Sequence, residues 1–127
     1  MTTYSVELNE YQVSVIVKAL EIYARLSSGQ VSIALDEAYG FKISYDNGKD
    51  IERMVKSEVF KELSPFSYYG VGNKNYPIIG DCWSMVEVMR YRLAWDNPEK
   101  KNTEFDVRYD KPMNWSEHPQ IKIEEVK

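Results

Sequence analysis

Between Asn9 and Gly29 the chain carries two apolar stripes at helical spacing where one would serve, and this excess constrains the fold more than any other feature. At 100° per residue, Val13, Ile16, Val17, Leu20 and Ala24 form one stripe, and Val15, Ala19, Ile22 and Leu26 form a second beside it. Together they cover roughly 200° of the helix and leave Ser14, Lys18, Glu21 and Arg25 on the polar arc. A surface helix needs only about a 100° stripe. This helix is therefore central to its domain or shared with a second copy, and in a chain of 127 residues the expectation is a subunit interface. Asn9 suits the N-cap, Glu10 the first turn, and Ser27-Ser28-Gly29 ends on a glycine suited to a left-handed C-terminal position.

The rest of the chain reads as a mixture of short strands and helices. Tyr4-Ser5-Val6-Glu7-Leu8 alternates apolar and polar, as a half-buried strand does, and so do residues 103–109 and 121–124. A short helix is expected over residues 30–38, ended by Tyr39-Gly40. Phe41-Lys42-Ile43-Ser44-Tyr45 alternates like a strand or an extended connector, leading to the turn signal Asp46-Asn47-Gly48. Asp50 can then cap a helix over residues 51–63 whose apolar face is Ile51, Met54, Val55 and Val59, with Ser64-Pro65 as its stop. Residues 64–80 are irregular and hold three glycines, two prolines and four aromatics. Asp81 caps a final helix to about Trp95, with Cys82, Met85, Val86, Met89 and Leu93 on its core face and Val88, Tyr91 and Trp95 opposite. The expected architecture is one α+β domain over residues 1–127, a small antiparallel sheet packed with three to four helices, assembled as an oligomer.

Composition removes several functions. The net charge of −4 disfavours long nucleic acid and anionic membranes as partners, and a soluble, intracellular protein is expected. A single cysteine, Cys82, and a single histidine, His118, give little basis for a metal site, a disulfide or Cys-His catalysis. No Walker loop, GxGxxG or HExxH is present. Neither a catalytic residue nor a cofactor is expected, and the protein is read as no enzyme. The rival readings are a nucleotide hydrolase using carboxylates such as Asp81, Glu87 and Asp96, and an inhibitor that docks on a host enzyme through its apolar helical surface.

Basic and aromatic residues concentrate at Tyr23-Ala24-Arg25, in the loop from Phe66 to Tyr76, and at Arg90-Tyr91-Arg92 with Trp95. Rings stack on bases and guanidinium groups pair with phosphate oxygens, so the mixture suits a nucleotide-like small molecule. Phe66 and Tyr69 are candidate stacking rings, and Asn75 can read a base edge through its amide. Arg25 suits a phosphate contact or a surface ion pair with Glu21. Arg92 suits a phosphate clamp or an interface ion pair. Arg108 completes the candidate set, although a strand position beside Asp106 equally suits a solvated cross-strand pair.

Three segments, ALEIYARLSSGQ at residues 19–30, MRYRLAWDNPE at 89–99 and DKPMNWSEHPQIKIE at 110–124, resemble small phage proteins of the Thoeris anti-defense type that act as signal sponges. The resemblance implies a homo-oligomeric α+β protein working in the bacterial host cytoplasm during phage infection. Such a protein sequesters a cyclic ADP-ribose isomer without cleaving it, in pockets between subunits, and in some members holds cyclic oligonucleotides as well. It further implies an adenine platform at Phe66 or a nearby loop tyrosine, a base or ribose contact at Asn75, and phosphate contacts at Arg92 and Arg25.

Overall fold

A computed structural model of the chain describes residues 1–96 and 111–127. Four helices make up its regular structure: α1 (Glu10–Ser28), α2 (Val31–Tyr39), α3 (Tyr45–Val59) and α4 (Pro77–Asp96). Among the described residues there is no strand, so the α+β expectation with its antiparallel sheet is corrected to an all-α fold. Residues 4–8 have the alternation of a strand but, among the described residues, no second segment paired with them, and Tyr4 and Val6 are exposed. At residues 121–124, Ile121 and Ile123 do turn one face to the core, but as an extended strap laid on helices. The expected strand at 103–109 lies outside the described residues.

Helix α1 begins as its sequence requires. The Asn9 side chain accepts from the Gln12 amide at 2.8 Å, and the Gln12 side chain accepts from the Asn9 amide at 2.9 Å, a reciprocal capping box. It ends at Gly29, whose φ of 93° is costly for any residue with a Cβ. Its first stripe packs along α4, where Val13 and Val17 meet Val86, Met89 and Leu93. The second stripe is open in the single chain: Val15 and Leu26 are both more than 40% exposed.

Helix α2 follows directly, bridging α1 to α3 and stopping at Gly40. Helix α3 starts six residues before the expected position. Ser44, and not Asp50, is its cap, accepting from the Asn47 amide at 3.2 Å, so Asp46-Asn47-Gly48 becomes a first helical turn. The same shift overturns the expected burial. Gly48, Glu52 and Lys56 face inward, while Ile51, Met54 and Val59 are exposed. Gly48 lies in the α2–α3 seam, where a Cβ would stand 3.4 Å from that of Ser32. Helix α4 also starts earlier, at Pro77, a residue favoured at a first helical position because it has no amide to satisfy. Asp81 is thereby free to accept from the Ser116 hydroxyl at 2.5 Å. Gly80 admits two other backbones, since a Cβ there would meet the carbonyl oxygens of Val71 and Trp115 at 2.6 and 2.9 Å. No helix among the described residues is long and apolar enough to cross a membrane.

Candidate functional site

The end of α1, the face of α3 and the loop after it enclose a cleft of about 370 Å³, within the range of about 300–1,000 Å³ typical of small-molecule sites. Gly29, Gln30 and Ile33 line it from the α1–α2 junction; Tyr45, Asp46, Lys49, Asp50, Glu52, Arg53 and Lys56 come from α3; Pro65, Phe66 and Tyr68 come from the loop. Lys49, Arg53 and Lys56 fall at i, i+4 and i+7, so one helical face delivers all three cations.

A buried ion pair underlies the cleft. The side chains of Glu52 and Lys56 are each 6% exposed, with Lys56 Nζ 3.7 Å from Glu52 Oε2 and Lys49 Nζ 3.3 Å from the same oxygen. The Ser32 amide donates to Glu52 Oε1 at 3.1 Å. Burial alone would push the Glu52 carboxyl upward, but the Ser32 amide and the Lys56 and Lys49 ammonium groups outweigh it and hold the carboxyl below its ordinary value. Lys56 also donates to the Pro65 carbonyl at 3.1 Å, and the Tyr69 amide donates to the Ser28 carbonyl at 2.8 Å. Residues 66–68 are thus a short tongue held at both ends, with the Phe66 ring 92% exposed at the cleft edge. Lys49 Nζ lies 5.7 Å from the centre of the Tyr45 ring, which places a cation and a π-face side by side. The cleft can therefore stack a planar ring and offer ammonium and guanidinium donors to an anion.

Of the sequence candidates, Phe66 lines this cleft. Tyr69 does not: its ring stacks on Tyr76 at 4.3 Å and its hydroxyl donates to the Glu62 carboxylate, so it closes the loop on itself. Asn75 does not line the cleft, and its backbone N–H donates to Asn73 Oδ1 at 2.8 Å. Arg25 is engaged by Glu37 at 3.2 Å and by Gln30 Oε1 at 2.9 Å, with its guanidinium 5.1 Å from the centre of the Trp83 ring. It touches the cleft only through Gln30, and its ion-pair partner is Glu37 where Glu21 was expected. Glu21 instead lies 3.7 Å from Arg90. Burial and the nearby Glu37 carboxylate push Glu21 upward against the pull of Arg90, Arg25 and Lys18. Arg92 pairs with Asp96 one turn on, at 2.9 Å. Arg108 lies outside the described residues.

Sequence reasoning missed Tyr45, Lys49 and Arg53. Tyr45 and Lys49 join the register of Arg53 and Lys56, at four- and three-residue spacing, once the helix is capped by Ser44 instead of Asp50. The carboxylates named for hydrolysis are spread along α4: Asp81 and Asp96 are fifteen positions apart, a rise of about 22 Å, and have partners in Ser116 and Arg92, while Glu87 lies between them with its Oε2 buried and without a hydrogen-bond partner among the described residues. Burial and Asp81 push the Cys82 thiol upward, away from thiolate chemistry. Among the described residues, no group of three metal-ligating side chains is placed to hold an ion. No family model, no curated protein and no solved structure matches the chain, so its function has to be argued from the chemistry of this cleft.

Proposed function

We propose that the protein is a phage anti-defense sponge that binds a cyclic ADP-ribose isomer in the α3 cleft and holds it intact, and that it does so as a homo-oligomer in the host cytoplasm. The observation that carries this reading is the pairing of exposed rings with cations around one cavity: Tyr45, Phe66 and Tyr68 beside Lys49 and Arg53. An adenine ring finds stacking partners there, and a pyrophosphate finds charge-assisted donors. Retention without cleavage agrees with the ion pairing of Asp50 and Glu52 in the cleft and with the spread of the other candidate carboxylates along α4. The open second stripe of α1 supports self-association, because Val15 and Leu26 are otherwise left in water.

Calorimetric titration with the cyclic ADP-ribose isomer tests the reading, followed by heat denaturation and chromatography of the supernatant. Saturable binding and recovery of unchanged isomer are expected. A new product would establish hydrolysis instead, and the absence of heat and of any thermal shift would favour a protein-docking inhibitor that needs no nucleotide.

A further inference from the structure

A second groove, of about 400 Å³, shares Arg53, Lys56 and Pro65 with the cleft and is completed by Ser57, Lys61 and Leu63. The two cavities differ in charge. Around the cleft three cations meet three carboxylates, Asp46, Asp50 and Glu52. The groove has Arg53, Lys56 and Lys61 and no carboxylate in its lining. Lys56 is committed to Glu52 and the Pro65 carbonyl. Lys61 has no ion pair among the described residues, and Arg53 belongs to both cavities. The Arg53 guanidinium rests 2.6 Å from Asp50 Oδ1, in a pair whose members are more than half exposed. Such a pair contributes little in water and yields readily to a phosphate that offers a guanidinium two oxygens.

Building on the nucleotide reading of the cleft, we infer that the groove is the phosphate subsite of the same ligand, with Asp50 as a built-in competitor that Arg53 leaves when a phosphate arrives. The rings of the cleft take the base, and Arg53 swings across the shared wall to join Lys61 on the anion. Phosphate-free nucleosides leave Arg53 on Asp50, so the arrangement selects ligands that carry a charged end at a fixed distance from a base.

The test uses inorganic pyrophosphate alone and the cyclic ADP-ribose isomer alone, each titrated against the full chain. Asp50→Asn should bind pyrophosphate about three-fold tighter, and Lys61→Ala about ten-fold weaker. Glu7→Gln removes the same charge as Asp50→Asn beyond the opposite end of α1, a helix roughly 28 Å long, and should leave binding unchanged. Because the Asp50 effect is a gain, a poorly folded variant cannot imitate it. Pyrophosphate binding that is absent, or indifferent to residues 50 and 61, overturns the subsite even when the isomer binds. The expected pyrophosphate pattern in a protein that ignores the isomer supports the anion site and overturns the nucleotide reading.

Discussion

The α1–α4 seam and the α2–α3 seam are built on opposite principles. Between α1 and α4 the core of the contact is apolar, with Val13 and Val17 closed against Val86, Met89 and Leu93 and capped by the strap residues Ile121 and Ile123, while the Glu21–Arg90 pair and the Arg25–Trp83 contact also join the two helices. Helices α2 and α3 bury Val31 and Ala34 as well, but the bond that joins them is polar, from the Ser32 amide to the buried Glu52–Lys56 pair. Apolar burial contributes stability in proportion to area, whereas a buried ion pair must first repay the desolvation of both charges. The first seam therefore holds the fold together. The second seam places donors: it fixes Lys49 on Glu52 and ties the aromatic tongue to Lys56 at Pro65.

The sharpest way to test that division is to damage each seam in turn. Leu93→Ala should cost about 3 kcal/mol in urea unfolding, because truncating a buried leucine loses transfer energy and leaves a cavity. A loss under about 1 kcal/mol would mean that α4 is not the stabilising partner assigned to it. Glu52→Gln keeps an acceptor for the Ser32 amide but leaves Lys56 short of its counter-charge, and should cost about 2 kcal/mol. The double variant Glu52→Gln, Lys56→Met should recover most of that stability, since it keeps the acceptor for the Ser32 amide and leaves no buried charge without its partner. It should nevertheless bind the isomer less tightly, because Pro65 loses its tether. Recovery of both stability and affinity would show that the pair positions nothing.

At the cleft rim the same division predicts binding effects without stability effects. Phe66→Ala should weaken the isomer about ten-fold, in the range of one base–aromatic stack, while leaving the urea midpoint unchanged. A lowered midpoint would place Phe66 in the fold instead of the site.

How much of this was legible in the sequence depended on whether local rules and tertiary packing agreed. Asn9, Gly29 and Gly40 act as caps through their own backbone and side-chain chemistry, so α1 and the end of α2 follow from local residues. Most of the core face of α4 was legible for the same reason: its apolar spacing matches its burial at Cys82, Val86, Met89 and Leu93, although Met85 is only half-buried and Val88, expected opposite, is buried as well. Helix α3 was misread because Asp46-Asn47-Gly48 is a turn signal locally, while the contact with Ser32 makes Gly48 a packing residue. Its burial was misread because an inward Glu52 and Lys56 contradict apolar periodicity, and only the partners Ser32 and Pro65, twenty and nine residues away, make that arrangement tolerable. The cleft is built on this exception, which is why Phe66 was found and Lys49 and Arg53 were not.

Acid should separate the two seams by sign. The Glu52 carboxyl is held below its ordinary value in the fold, so its contribution is present above the ordinary carboxylate range and is lost as pH falls through the depressed value. Glu21 is shifted the other way, mainly by burial and then by Glu37. Its ionised form is disfavoured in the folded chain, so folding gains as pH falls from neutral through the raised value and the gain is complete below the ordinary range. Urea unfolding followed from pH 7 to about pH 3.5 should thus show a shallow rise in stability before the fall. Glu21→Gln should remove the rise and leave the fall, and Glu52→Gln should flatten the fall and leave the rise. If one substitution altered both limbs, the charges around Glu21 and in the α2–α3 seam would titrate as one group, and α2 would couple the seams it separates.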